Sequence, residues 1–316
     1  MIPAISDDAP RPRWSVLIPT HNCANFLKEA LESVLVQDQG EAKMEIIVVD
    51  DHSTADDPEA VVERIGRGRV RFLRQERNVG KVRNYETGLL ASRGFLIHQL
   101  HGDDRVRQGF YSAMDRAFDA FSDAGAFFCE SIYVNQAGKE IGRTGKERAF
   151  TGLLEDWLAL IVLNQRIQTP SMVLRRDVYE TLGGFDRRLN MVEDWEMWIR
   201  VAMAFPVGFC AEALAEYRSS PGGATVKGLL SGEMVGQTRK MLSIVDEYLP
   251  PEMVARSRGD RNRGLAQALT QFIPFLMERG EYRAVLRLYA DALRFSAHPR
   301  AAYRLLYFTA RYRQFL

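Results

Sequence analysis

The sequence predicts an α/β fold in which a mostly parallel β-sheet is covered by helices on both faces. Three observations support this class. Short, nearly continuous apolar runs, typical of strands buried on both faces, recur along residues 14–104. Segments with apolar residues at helical spacing separate these runs. Finally, the alternation of strand and helix is the pattern that helical crossovers between parallel strands produce.

Each element of this first half has its own signal. Residues 15–19 form an apolar run that stops at a proline, and residues 44–50 form a second run. Between them, residues 24–37 place Leu27, Leu31 and Val34 on one helical face. The pattern then predicts a helix over 58–65, a strand over 70–73, a helix over 81–92 and a strand over 94–104.

The second half of the sequence is less regular. Strands are predicted over 126–134, 171–174 and 207–211, and helices over 151–163 and 194–205. Residues 219–225 consist mostly of turn residues, which is typical of a linker. Beyond them, helices are predicted over 231–248, 251–278, 281–295 and 298–315. We therefore expect an N-terminal tail (1–13), an α/β domain (14–225) and a helical C-terminal extension (226–316).

The composition limits the possible partners and compartments. The formal net charge of +1 gives no reason to expect a nucleic-acid partner. Three widely separated cysteines form neither a disulfide framework nor a metal knuckle, which favours a reducing compartment. Because the sequence shows no export signal and no apolar stretch of membrane-spanning length, we expect a cytoplasmic protein.

Two adjacent aspartates, Asp103 and Asp104, end the run that begins at Gly94. A strand that carries acids at its carboxyl end in an α/β sheet directs them at the crevice where ligands bind. Two neighbouring carboxylates repel each other unless a cation or ligand hydroxyls neutralise them. The pair therefore suits a divalent metal and the diphosphate that it carries. An acidic turn after a strand is the alternative.

Five segments with distinctive residues occur in a defined order. They read Ile-Pro-Thr-His-Asn at 18–22, Val-Val-Asp-Asp-His-Ser-Thr at 48–54, His-Gly-Asp-Asp at 101–104, Gly-Gly-Phe-Asp at 183–186 and Glu-Asp-Trp-Glu-Met-Trp-Ile-Arg at 193–200. This ordered set resembles a family-2 glycosyltransferase of the GT-A fold, and the resemblance covers about residues 14–225. It implies a nucleotide-diphospho-sugar transferase fold.

The resemblance also implies a nucleotide-sugar donor and assigns residues to it. Asp51 would hydrogen-bond the base, Pro19 and Thr20 would form the wall of the base slot, and Asp103 would contact the ribose. The implied nucleotide-binding residues are Pro19, Thr20, Asn22, Asp51, Lys81, Arg83 and Asp103. The alternatives are a turn or N-cap role for Asp51 and a solvated helix face for Lys81 and Arg83.

A metal site at Asp104 follows from the same resemblance, with the cation bridging to the donor diphosphate. Two departures from the family pattern affect this site. His101 stands where most relatives have an acid, and no histidine follows Tyr217 and Arg218. We expect His101 to act as a compensating ligand. Because a neutral imidazole prefers a softer ion than magnesium, Mn²⁺ is the expected cation and Mg²⁺ the alternative.

Asp194 is the residue expected to act as general base. In the inverting transfer that the resemblance implies, one carboxylate deprotonates the acceptor hydroxyl as it attacks opposite the leaving nucleotide. Asp194 begins a predicted helix, so capping of that helix is the alternative role. Glu193 is the second choice for the base.

Together with these residues, the resemblance implies a metal-dependent, inverting glycosyltransferase of the hexosyltransferase type, active in polysaccharide biosynthesis. Its donor would be a nucleoside-diphosphate sugar, with a UDP-sugar favoured, and its acceptor a hydroxyl of a glycan or lipid-linked glycan. A nucleotidyltransferase would need a glycine-rich basic loop after the first strand, and residues 20–25 do not form one. A non-catalytic nucleotide-sugar binding module would explain His101, but Asp104 and Asp194 argue against it.

The C-terminal residues 282–316 carry seven arginines against one acid, with aromatic residues interleaved. Basic helices with an aromatic face suit the anionic surface of a bilayer, where a lipid-linked acceptor is found. This interpretation predicts peripheral contact with the inner face of the cell membrane. An amphipathic hairpin packed on the enzyme, or a dimer contact, is the favoured alternative. The sequence leaves the oligomeric state open.

Overall fold

The computed structural model describes residues 2–6, 10–220, 222–296, 306–307 and 310–311. The chain forms two compact units. The first contains the described residues up to 157 together with 166–219, and the second contains residues 158–165 together with the described residues from 220 onward. The domain boundaries that we expect from the sequence stay a prediction.

One mixed β-sheet forms the centre of the first unit. Its strands are β1 (Trp14–Thr20), β2 (Met44–Asp50), β3 (Arg71–Arg74), β4 (Leu96–Gln99), β5 (Arg105–Val106), β6 (Ala126–Val134), β7 (Glu140–Arg143), β8 (Gly152–Leu153), β9 (Met172–Arg175) and β10 (Val207–Arg218). They are ordered β3-β2-β1-β4-β9-β6-β10-β5, with β7 beside β6 and β8 beside β10. The first four strands pair in parallel. Strand β9 then runs antiparallel to both β4 and β6.

Helices cover both faces of this sheet. They are α1 (Ala24–Leu35), α2 (Pro58–Gly66), α3 (Lys81–Ala91), α4 (Phe110–Ala120), α6 (Arg176–Leu182) and α7 (Glu193–Ala204), while α5 (Trp157–Ile161) begins in the first unit and ends in the second. Val16 and Ile18 of β1 share a buried cluster with Leu27 of α1. The intervening Leu17 faces the other side, where Gly88 brings α3 close to it. The predicted α/β fold is confirmed.

Two predicted elements of the first unit differ from the structure. The helix expected over 151–163 is replaced by the short strand β8 and the short helix α5. The strand expected over 207–211 continues to Arg218, because β10 pairs with β6 along its whole length, with register shifts between Cys210 and Ala215. These shifts and the polar side chains Glu212 and Glu216 interrupt the apolar run that would have marked a long strand.

The second unit is helical in its described part. Its helices are α8 (Ala224–Ser231), α9 (Glu233–Tyr248), α10 (Pro251–Gln271), α11 (Ile273–Glu278) and α12 (Tyr282–Phe295). The single helix expected over 251–278 is divided at Phe272, two residues before Pro274, because proline cannot continue the backbone hydrogen-bond ladder of a helix. The helix expected over 298–315 lies largely outside the described residues. No described helix is both long and apolar enough to cross a membrane.

Candidate active site

The carboxyl ends of the parallel strands meet at one edge of the sheet. The backbone N–H of Asp51, after β2, donates to the carbonyl of Thr20 at the end of β1, over 2.9 Å. On the other side of β1, the N–H of Gly102 donates to the carbonyl of Pro19 over 3.0 Å. Residues from three strands are thus adjacent, as the order of parallel strands requires.

Asn22 fixes the turn after β1 against the turn after β2. Its backbone is left-handed, with φ 50°, a conformation that asparagine tolerates better than most residues. Its side-chain Oδ1 accepts hydrogen bonds from the N–H groups of Thr54 and Ala55, over 2.9 and 3.0 Å. The structure therefore places Asn22 at the predicted nucleotide-binding edge, where it orders the backbone.

Asp51 holds the turn that precedes α3. Its carboxylate accepts hydrogen bonds from the N–H groups of Val79 and Gly80, over 2.7 and 3.0 Å. The side chain is buried. Because a carboxylate has about four acceptor positions, these two bonds leave capacity for a ligand donor.

The two basic residues at the start of α3 have different surroundings. Lys81 Nζ lies 2.8 Å from Glu193 Oε1, so it forms an ion pair with the acidic beginning of α7. The second oxygen of Glu193 is buried and has no hydrogen-bond partner among the residues described. Arg83 is exposed on α3. The structure thus pairs Lys81 with Glu193, the residue next to the expected general base Asp194, and leaves Arg83 on the exposed surface of α3.

His101, Asp103 and Asp104 form a compact cluster after β4, with one possible ligand atom from each lying within 4.8 Å of the others. Asp104 is buried, and its Oδ1 accepts the backbone N–H of Arg218 over 2.8 Å. Its Oδ2 has no hydrogen-bond partner in the described part of the chain, and lies 3.6 Å from His101 Nδ1. An unsatisfied buried oxygen facing a ring nitrogen is an arrangement that a cation would complete.

The electrostatics of the cluster agree with a cation site. Burial, followed by the charge of Asp103, raises the pKa of Asp104 well above its ordinary value, while Arg218 opposes the shift. Burial, followed by the charge of Lys81, lowers the pKa of His101 to about 3, so the imidazole is neutral and can offer a lone pair. A divalent cation would remove the repulsion between the carboxylates. His101, Asp103 and Asp104 therefore fit a metal.

Arg218 supports this cluster, although the sequence analysis assigns it no role. It is 3% exposed, and its Nε donates to the carbonyl of Asp103 over 2.8 Å. A second bond, from Nη2, joins it to Glu29 over 2.8 Å, and its guanidinium lies over the ring of Phe26. The only sequence feature that pointed to Arg218 was its position after Tyr217 at the end of a strand. Thr169 and Tyr85 were also missed, because their contacts with Asp194 and His101 depend on tertiary packing.

Asp194 lies in the first turn of α7. Its Oδ1 accepts the N–H of Trp195 over 2.8 Å, and the hydroxyl of Thr169 donates to its Oδ2 over 3.3 Å. Burial, followed by the charge of Glu193, raises the pKa of Asp194 to about 6, and Lys81 partly offsets the shift. A carboxylate with this pKa can accept a proton near neutral pH.

Tyr85 of α3 contacts the cluster formed by His101, Asp103 and Asp104. Its hydroxyl lies 3.1 Å from His101 Nε2. Burial, followed by the negative charges of Glu193 and Asp194 and then of Asp103 and Asp104, raises the pKa of the phenol well above its ordinary value. The helix that carries Tyr85 also carries Lys81, which pairs with Glu193 at the beginning of α7.

Comparisons with known proteins agree with this geometry. Glycosyl transferase family 2 matches residues 15–183. The chain is 27% identical over 266 residues to an uncharacterized protein of Mycobacterium tuberculosis, covering 78% of this chain and 80% of that protein. It is 30% identical over 149 residues to the GalNAc(5)-diNAcBac-PP-undecaprenol beta-1,3-glucosyltransferase of Campylobacter jejuni, covering 46% of this chain and 45% of that enzyme.

A solved structure, S. aureus TarS 1–349 in complex with UDP-GlcNAc, superposes with a TM-score of 0.64 at 16% identity and covers 90% of this chain and 83% of that one. At this identity the likeness concerns the fold, and the predicted GT-A glycosyltransferase fold is confirmed. Because the family match covers more than half of the 316 residues, the chain belongs to glycosyl transferase family 2.

Proposed function

We propose that this glycosyltransferase is an inverting enzyme that moves a sugar from a UDP-sugar to a hydroxyl of a glycan or lipid-linked glycan. The observation that carries the proposal is that α3 contacts two acidic groups, through Tyr85 to His101 over 3.1 Å and through Lys81 to Glu193 over 2.8 Å. One is the cluster after β4, and the other is the beginning of α7. The first suits a diphosphate with its cation, and the second suits an acceptor hydroxyl.

The donor site is proposed at the carboxyl ends of β1 and β2. Asp51 has acceptor capacity for the imide N–H of uracil, Thr20 lies beside it, and Pro19 precedes Thr20 in β1. Asp103 would contact the ribose, and Lys81 and Arg83 stay candidates for the diphosphate. The structurally similar protein TarS was solved in complex with UDP-GlcNAc, which supports a UDP-sugar as the donor here.

The metal site is proposed at Asp104 and His101. The unsatisfied Oδ2 of Asp104 and the neutral Nδ1 of His101 would hold a divalent cation, with Mn²⁺ favoured over Mg²⁺ because one ligand is an imidazole. When bound, such a cation supplies positive charge that stabilises the leaving nucleoside diphosphate.

Asp194 is proposed as the general base. Its Oδ2 accepts from Thr169, which fixes the carboxylate, and its elevated pKa suits removal of the acceptor proton during a single displacement. Glu193 is less suited to this role because its carboxylate forms an ion pair with Lys81. The hydroxyl of Thr169 orients the base and does not itself exchange a proton.

The acceptor is proposed to be a glycan or lipid-linked glycan. The relative from Campylobacter jejuni is named for an undecaprenol-linked acceptor, which supports a lipid-linked one here. The arginine-rich residues from 282 onward are consistent with peripheral contact at the inner face of the cell membrane, where such an acceptor lies. In this proposal the enzyme works in the cytoplasm.

Calorimetry with UDP tests the donor assignment through Asp51→Asn. The asparagine keeps one of the two oxygens that accept backbone N–H groups of the turn before α3, and it offers an N–H where uracil also offers one. We expect the affinity for UDP to fall by about 1–3 kcal/mol. The affinity for CDP should fall less, because N3 of cytosine is an acceptor.

The matched control is Asp57→Asn, which makes the same chemical change at the N-cap of α2 in the same loop. Asparagine caps helices about as well as aspartate, so this variant should bind UDP normally. Unchanged UDP affinity in Asp51→Asn would remove Asp51 from the nucleotide site.

A further inference from the structure

The imidazole of His101 is held by Tyr85 through two kinds of contact. The hydroxyl oxygen of Tyr85 lies 3.1 Å from Nε2 of His101. The two rings also stack, with centroids 5.5 Å apart and an interplanar angle of 17°. Tyr85 is itself fixed, because it is only 7% exposed and packs edge-on against Phe185.

This arrangement leaves Nδ1 of His101 facing Asp104. The distance from Nδ1 to the unsatisfied Oδ2 is 3.6 Å, close to the roughly 3 Å between neighbouring ligand atoms around a small octahedral cation. An imidazole nitrogen can bind a cation only through its lone pair, so the ring proton must then sit on Nε2. The hydroxyl oxygen of Tyr85 is positioned to accept that proton in a hydrogen bond.

Gln99 provides a second polar group on the same side of the ring. Its Nε2 lies 3.4 Å from His101 Nε2, and its buried Oε1 has no hydrogen-bond partner among the described residues. A half-turn of the amide brings the oxygen to the ring nitrogen and satisfies it. Both Tyr85 and Gln99 can therefore accept a hydrogen bond from the Nε2–H group of His101.

We propose that Tyr85 is a positioning residue that fixes the ring and the tautomer of His101, so that Nδ1 and Asp104 Oδ2 together hold the divalent cation. The inference rests on the metal site of the proposed function and deepens it. Histidines that bind metals usually donate their second N–H to a partner, and loss of that partner typically lowers metal affinity 10–100-fold. Here the partner would be a phenol.

The chain contains a natural comparison for this pair. His98 and Tyr111 also lie 3.1 Å apart, through Nδ1 and the hydroxyl, and both are buried. In that pair the other ring nitrogen, Nε2, is used by the carbonyl of Pro170, over 2.9 Å. Neither nitrogen of His98 is left for a cation, so Tyr111 and His98 form a structural pair only.

The test measures Mn²⁺ binding by electron paramagnetic resonance, in the presence of saturating UDP. Tyr85→Phe keeps the ring that packs on Phe185 and removes only the hydroxyl. We expect the dissociation constant for Mn²⁺ to rise 10–100-fold. The pulsed spectrum of wild type should show coupling to an imidazole nitrogen, and this signal should weaken in the variant. Tyr111→Phe, the matched control, should change neither quantity.

A double-mutant cycle separates positioning from a general structural effect. His101→Asp should still bind Mn²⁺, without nitrogen coupling. Adding Tyr85→Phe to it should produce no further loss, because no imidazole is left to orient. An equal loss in both backgrounds would overturn the inference, as would equal effects of Tyr85→Phe and Tyr111→Phe.

The two proposals can fail separately. If wild type binds Mn²⁺ without nitrogen coupling, the role of Tyr85 and the ligand role of His101 are refuted, while a cation at Asp104 stands. Failure of wild type to bind Mn²⁺ at all would refute both the metal site and this inference. Uracil recognition through Asp51 is measured independently, in calorimetry of Asp51→Asn.

Discussion

At the scale of single residues, the surroundings of Asp51 and Asp194 suit two different tasks. Both oxygens of Asp51 accept backbone N–H groups, which fixes the carboxylate as a structural and recognition element. Burial and the nearby charge of Glu193 raise the pKa of Asp194 to about 6. A general base is most effective when its pKa lies near the working pH, so the environment of Asp194 matches the chemistry proposed for it.

The first prediction concerns Asp194→Asn and the pH dependence of turnover. The base must be deprotonated, so kcat/KM for release of UDP from a UDP-sugar should be constant above about pH 7. Below pH 6 it should fall about tenfold per unit, because the pKa of Asp194 is about 6. In Asp194→Asn, turnover should fall about 10²–10⁴-fold, while calorimetry should show normal UDP affinity.

The same substitution has an expected effect on stability. An acid whose pKa is higher in the folded than in the unfolded state stabilises the fold as pH falls through that pKa, and opposes folding above it. At pH 7, Asp194→Asn should therefore unfold at the same or a higher temperature than wild type. Asp177→Asn is the matched control, because Asp177 is also the second residue of a helix, α6, and is exposed. Near-normal turnover in Asp194→Asn would remove it as the base.

At the scale of elements, the sequence predicts those that bury one continuous apolar surface. Strand β2 occupies the predicted residues 44–50, and α7 begins one residue before its predicted start. The extent of β10 could not be predicted, because register shifts against β6 interrupt its apolar pattern. For the site, strand-end acids can be predicted because the ends of parallel strands meet. The contacts of Arg218 and Tyr85 depend on tertiary packing that no local pattern records.

The second prediction concerns Gly94, two residues before β4. A Cβ at this position would lie 2.5 Å from the backbone N of Ser15 and the backbone C of Trp14, atoms that cannot move without displacing β1. Gly94→Ala should therefore lower the free energy of unfolding by about 1–3 kcal/mol or more. Urea unfolding followed by circular dichroism measures this change.

Gly142→Ala is the control for Gly94→Ala. Gly142 also belongs to the sheet, in β7, but the nearest atom to an added Cβ is 3.8 Å away in Tyr133. This variant should be neutral or slightly stabilising, since alanine restricts the unfolded chain more than glycine does. Equal urea midpoints of unfolding for the two variants would show that the backbone near Gly94 can move to accommodate a Cβ.

At the scale of the whole molecule, the candidate site depends on the complete first unit. Asn22 and Arg218, which order opposite parts of the site, are separated by most of that unit's sequence. The site therefore cannot form in the unfolded chain. Any ligand that needs it binds the folded state alone and shifts the folding equilibrium by mass action.

The last prediction follows from this linkage. UDP at 100 times its dissociation constant should add about 2.7 kcal/mol to the free energy of unfolding. For a unit of this size, that corresponds to a rise in melting temperature of about 5–10 °C. If the diphosphate binds through a cation at Asp104 and His101, Mn²⁺ should increase the shift at a fixed UDP concentration and EDTA should reduce it.

Uridine, which lacks the diphosphate, should give a small shift that Mn²⁺ does not change. Asp104→Asn should retain the metal-independent part of the UDP shift and lose the Mn²⁺ increment. An equal UDP shift in Mn²⁺ and in EDTA would instead place the diphosphate on Lys81 and Arg83 alone, because these are the remaining cationic candidates for it.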